Sequence, residues 1–104
     1  MDKIRNLNSI QVFNEVSRLK SITLSAKSLH ISQSSVSYHI KKLEDELNAT
    51  LFQRNREGLT LTSNGETLAT HVANGLRSIQ IGLEKASDQT EIVRIAILPL
   101  FASR

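Results

Sequence analysis

The sequence contains no cysteine and no tryptophan, and only one proline, one tyrosine and four glycines among 104 residues. Without cysteine there is no disulfide framework, no thiolate zinc site and no thiol nucleophile. No apolar run approaches the roughly 20 residues of a membrane span, so no membrane role is expected. The opening stretch MDKIRNLNSI has no apolar signal region, which gives the expectation of an intracellular, cytoplasmic chain. His30, His39 and His71 match no metal-ligand spacing, so neither a metal nor a cofactor is expected. Gly58, Gly65, Gly75 and Gly82 form no phosphate-binding loop. No nucleophile elbow flanks a serine either. An enzyme is therefore left without motif support.

What is present is an ordinary globular composition, 39% hydrophobic and 22% charged, long enough for one small domain plus an appendage. The net charge is +3, and its placement is uneven. Residues 1–65 hold nine basic and six acidic side chains, whereas residues 66–104 hold four of each. The whole basic surplus lies in the first part, which suggests a polyanionic partner for that part.

Apolar periodicity organises the chain into helices. Ile10, Phe13 and Val16, widened by Val12 and Leu19, predict a helix over residues 8–19, with Asn6 or Asn8 as its cap. A short helix follows in TLSAKSLH, with Ser21 or Thr23 as cap and Leu24, Ala26 and Leu29 facing inward. After a tight break at ISQ, Ser32 caps a third helix that runs to Leu47. TLFQRNREGLTLT then reads as a β-hairpin, with Leu51, Phe52, Leu59 and Leu61 flanking a basic tip that includes Gly58. Thr62 or Ser63 opens a long helix, and Ser63 and Glu66 have capping-box spacing. That helix is about 40 Å long at 1.5 Å per residue. Its seam, Leu68, Val72, Leu76, Ile79, Leu83 and Ala86, has nothing left in the chain to cover it, so a dimer through this helix is expected. Gly75 and Gly82 either permit close helix approach or soften the helix. The tail EIVRIAILPLFASR alternates like a strand and then stops, as the first strand of a missing domain would. The expected organisation is a compact domain at 1–62 that takes the polyanionic partner, a linker and dimerisation helix at 63–90, and a truncated strand at 91–104.

The third helix, within HISQSSVSYHIKKLEDEL, carries the chemistry. Val36, Ile40, Leu43 and Leu47 make one apolar face, and Ser34, Ser37, Tyr38 and Lys41 lie opposite. Three helices and a basic hairpin outline a mainly α, winged helix-turn-helix fold. In such a fold the third helix enters the DNA major groove. Hydroxyls and free backbone N–H groups at its N-terminus, from Ser32 and Ser34, suit phosphate. Gln33 suits adenine, Ser37 a base edge, and Tyr38 offers a hydroxyl and an apolar ring able to meet a thymine methyl. Arg54 and Arg56 on the hairpin suit the backbone or minor groove. Lys41 and Lys42 either contact phosphate or form solvated i,i+4 pairs with Glu44, Asp45 and Glu46. His39 either touches phosphate or is structural; His30 and His71 read as structural.

The stretch from Leu7 to Glu66 also resembles the N-terminal domain of LysR-type transcriptional regulators. The resemblance is carried by Phe13, Ser25-Ala26, Leu29, Ser32-Gln33-Ser34, Val36-Ser37, Ile40, Leu43-Glu44, Leu51-Phe52, Arg54, Leu61-Thr62 and Gly65. It implies a bacterial transcription factor that binds double-stranded DNA and pairs its linker helices antiparallel. It also implies a C-terminal effector domain for a small molecule, truncated here. ILPLFASR is similar to the start of that domain in the subgroup of glycine-cleavage and β-lactamase regulators. Two positions depart from the family pattern: Tyr38 stands where Arg is frequent, and Glu57 stands where the wing often carries Arg. The alternative reading is a protein-interaction module that heterodimerises with a full-length regulator through the long helix.

Overall fold

Buried apolar side chains recur three and four residues apart along the first helix: Val12, Phe13 and Val16 are all sealed from solvent. This helix, α1, is Leu7–Leu19 in a computed structural model that describes residues 7–87. It is followed by α2 (Ile22–Leu29), α3 (Gln33–Leu47), β1 (Phe52–Asn55), β2 (Gly58–Leu61) and α4 (Ser63–Ala86). The fold is the expected winged helix-turn-helix, followed in sequence by a long helix. The strand expected at 91–104 and the cap expected at Asn6 lie outside the described residues. Asn8, the other candidate cap, is already inside α1.

Each short helix is delimited by backbone chemistry. Ser21 caps α2 by accepting the Leu24 N–H at 3.0 Å, so Thr23 is a helical residue and not the cap. The helix ends at His30, whose left-handed φ of 57° lets the Ile31 N–H reach the Ala26 carbonyl at 3.1 Å. α3 ends in the same way, with Asn48 at φ 52° and the Ala49 N–H on the Glu44 carbonyl. Within α2 the inward face differs from expectation. Leu24 is 52% exposed, while Ile22 packs against the core and Ser25 and Ala26 are buried. Small residues at 25 and 26 bring α2 close to its neighbours, which rotates Leu24 outward. Glu15 fastens α1 to α2: it pairs with Arg18 at 2.8 Å and accepts the Ser28 hydroxyl.

The core gathers Phe13, Val16, Val36, Leu43, Leu51 and Phe52. The rings of Phe13 and Phe52 meet at 5.4 Å, tilted by 53°. Burying such side chains contributes about 1.5–3 kcal/mol each. β1 and β2 pair antiparallel, Phe52 opposite Leu61 and Asn55 opposite Gly58, around a two-residue tip of Arg56 and Glu57. Gly58 has φ +103°, which side-chain-bearing residues rarely adopt. The Asn55 side-chain carbonyl accepts the Glu57 N–H at 3.0 Å and closes the turn.

Glu44 is not in an ion pair with the lysines. Its carboxylate accepts the N–H groups of Leu51 at 2.7 Å and Phe52 at 3.4 Å, tying the hairpin to α3. Thr62, not Ser63, caps α4: its hydroxyl accepts the Gly65 N–H at 3.0 Å and donates to the Thr50 carbonyl at 2.6 Å. The expected capping box therefore has no Ser63 cap to close it. Gly65 is required by space. A Cβ there would press into the Leu51 carbonyl oxygen and sit 2.9 Å from Leu61 Cδ2.

The chain divides into two compact units, Met1–Val72 and Ala73–Arg104. In the first unit Leu68, Ala69 and Val72 pack against the core. In the second, Leu76 is half-buried, whereas Ile79 is 53% and Leu83 61% exposed. A Cβ at Gly75 or Gly82 would meet no described atom within 4 Å.

Candidate nucleic-acid interface

α3 turns Val36, Ile40 and Leu43 into the core and leaves Gln33, Ser34, Ser37, Tyr38 and Lys41 exposed. Residues 33, 34, 37, 38 and 41 share one side of a helix because the pitch returns every 3.6 residues. The start of the helix is a hydroxyl cluster. Ser32 Oγ accepts the Ser35 N–H at 3.0 Å, and the Ser34 and Ser35 hydroxyls each lie 3.0 Å from it. Ser32 thereby marks the helix N-terminus, where the dipole favours an anion. Gln33, one residue later, is exposed.

Further along, the two lysines part company. Lys41 Nζ lies 3.1 Å from Asp45 in an exposed i,i+4 pair. Such pairs contribute little, so Lys41 is readily released to another anion. Lys42 instead lies over the Tyr38 ring, 5.9 Å from its centroid. His39 turns towards α1, with Nδ1 2.8 Å from the hydroxyl of the fully buried Ser9. Its ring also meets Tyr38 edge-on at 5.4 Å and 72°. On the hairpin, Arg54 lies opposite Leu59 on β1 and Arg56 at the tip; both are exposed. The structure thus groups Gln33, Ser34, Ser37, Tyr38 and Lys41 on α3, with Ser32 as its cap, and Arg54 and Arg56 on the hairpin. Sequence reasoning left Lys42 open, gave Glu44 only an ion-pair role and gave Ser9 none. The four-residue spacing of Tyr38 and Lys42 was the one available signal.

Other chemistries find little here. Among the described residues no group of His, Asp or Glu is placed to hold a metal ion. No described helix is long and apolar enough to cross a membrane. A shallow, open depression of about 280 Å³ at the C-terminal end of α3 is lined by Lys41, Glu44, Asp45, Asn48, Ala49 and Thr50.

The family model for bacterial regulatory helix-turn-helix proteins of the lysR family matches residues 7–66. The chain belongs to the LysR family. Its relatives are transcriptional regulators, not enzymes. The HTH-type transcriptional regulator PerR of Escherichia coli is 36% identical over 97 residues, covering 92% of this chain and 33% of PerR. Among solved structures, a probable transcriptional regulator, PA0477 from Pseudomonas aeruginosa, superposes with a TM-score of 0.71 at 33% identity. That match covers 79% of this chain and 28% of the other. The BenM DNA-binding domain, solved as a complex with catB site 1 DNA, matches with a TM-score of 0.69 at 26% identity. It covers 74% of this chain and 83% of that one. The LysR chain described here spans about a third of the length of the curated relatives it matches.

Proposed function

We propose that this LysR-family chain binds double-stranded DNA sequence-specifically, as a dimer, in the cytoplasm of a bacterium. α3 lies in the major groove and the β1–β2 hairpin lies on the backbone or in the minor groove. Phosphate contacts from Ser32, Ser34, Lys41, Arg54 and Arg56 set the register, while Gln33, Ser37 and Tyr38 read base edges. The observation that carries this reading is the two-sidedness of α3. Its apolar face is spent on the core, and the polar face of its first two turns, Gln33, Ser34, Ser37 and Tyr38, is exposed yet carries no charge. A surface meant only for solvation gains nothing from a Ser–Gln–Ser start and an exposed Tyr. The complex of the similar BenM domain with DNA adds support.

Dimerisation is proposed through α4, where Ile79 and Leu83 are exposed large hydrophobics. Two copies would then read two half-sites related by dyad symmetry. A small-molecule effector would act through a C-terminal domain of the kind the resemblance implies. A second reading, pairing with a longer regulator through α4, is favoured by the same exposed residues; it predicts a heterodimer that forms without DNA.

The test is selection of random and genomic duplexes by the purified chain at two salt concentrations. Enrichment of a dyad that survives the higher salt is the expected result. Binding that lacks enrichment and collapses with salt would leave only the phosphate contribution and overturn the reading.

A further inference from the structure

Tyr38 is 59% exposed, yet its ring has two neighbours. Lys42 lies over it at 5.9 Å, and the His39 ring meets it edge-on at 5.4 Å. His39 is itself anchored, through Nδ1, to Ser9, a fully buried residue of α1. A chain of contacts therefore runs from the core to the exposed face of α3: Ser9, His39, Tyr38, Lys42. Tyrosine has few rotatable bonds, and two neighbours flank this ring. A side chain already held loses less freedom on binding.

We infer that Tyr38 is a preset reader of a thymine C5-methyl group in the major groove, with His39 and Lys42 as its positioning residues. The inference rests on the proposed placement of α3 in that groove. The chemistry of the base edges narrows the choice. Guanine is best read by two donors in a fork, and adenine by an amide that both donates and accepts. A phenol has one hydroxyl and supplies neither pattern. What it does supply is aromatic surface, and the thymine methyl is the apolar feature of the major-groove edge. The Lys42 ammonium, carried beside the ring, adds attraction to phosphate but no sequence information.

The experiment uses the full chain and the duplex it selects best. Each dT is replaced singly by dU, which removes only the methyl group, and affinities are compared. One position in each half-site is expected to lose about fourfold, the effect of leaving one methyl-sized group in water. Tyr38→Phe should keep that dT/dU ratio. Tyr38→Ala should bind both duplexes equally, at lowered affinity. Lys42→Met, which keeps the aliphatic stem, and His39→Ala should both shrink the ratio, with thermal unfolding followed alongside. A ratio of one at every position in the native chain, or a ratio unchanged by Tyr38→Ala, overturns the inference while leaving groove binding intact. A Tyr38→Phe chain that loses the dT/dU ratio assigns the discrimination to the hydroxyl and overturns it too. If no duplex is enriched at all, the groove placement itself fails and the inference falls with it.

Discussion

α3 and the outer part of α4 are both amphipathic helices, but they expose opposite faces. α3 buries Val36, Ile40 and Leu43 and shows solvent its Ser, Gln and Tyr side chains. Beyond Val72, α4 shows solvent Ile79, Ile81 and Leu83. The same periodicity thus serves two ends. Where the apolar face is covered, the exposed polar face is free for a polar partner such as a nucleic acid. Where it is bare, the helix calls for an apolar partner such as a second copy.

The strongest way to break this contrast is to make the outer face of α4 polar. Ile79→Ser with Leu83→Ser removes two partly exposed apolar side chains from each copy, and is expected to weaken the dimer by about 4 kcal/mol, nearly three decades in Kd. Sedimentation at graded concentration checks it. The stability of the compact unit should change by no more than about 0.5 kcal/mol, because both residues are exposed in one copy.

The inner part of α4 should behave oppositely. Gly65→Ala forces a methyl group into the Leu51 carbonyl oxygen, and is expected to cost about 3 kcal/mol in denaturant unfolding. A smaller effect sharpens the view of α3. Glu44→Ala strands the N–H of buried Leu51 and should cost about 2 kcal/mol, while Asp45→Ala, which breaks only an exposed pair, should cost under about 0.5 kcal/mol. A change of the opposite sign is expected in α2. The Ser25 hydroxyl is buried with no hydrogen-bond partner among the described residues, so Ser25→Ala should be neutral or stabilise by up to about 1 kcal/mol in thermal unfolding.

The helices, the hairpin and the polar face of α3 were legible because each follows from a local period or a local turn. The placement of Leu24 was not. Periodicity offers an apolar set, but Ser25 and Ala26 decide which side of α2 approaches the core. The choice of Thr62 over Ser63 depended on Thr62 reaching both Thr50 and Gly65. Glu44 looked like half of a lysine pair because its real partners, the N–H groups of Leu51 and Phe52, are backbone and carry no sequence signature. His39 resisted assignment for a similar reason: its partner Ser9 lies 30 residues away. The α4 stripe reads as uniform along the sequence, whereas Leu68 and Val72 pack on the domain core.

The central claim, that the exposed face of α3 reads bases, is tested most directly by comparing base-preference profiles of the native chain and Gln33→Ala. Preference is expected to relax at one position in each half-site, at a cost of about 1–3 kcal/mol, with the rest of the profile retained. An unchanged profile would contradict it and remove α3 from the groove.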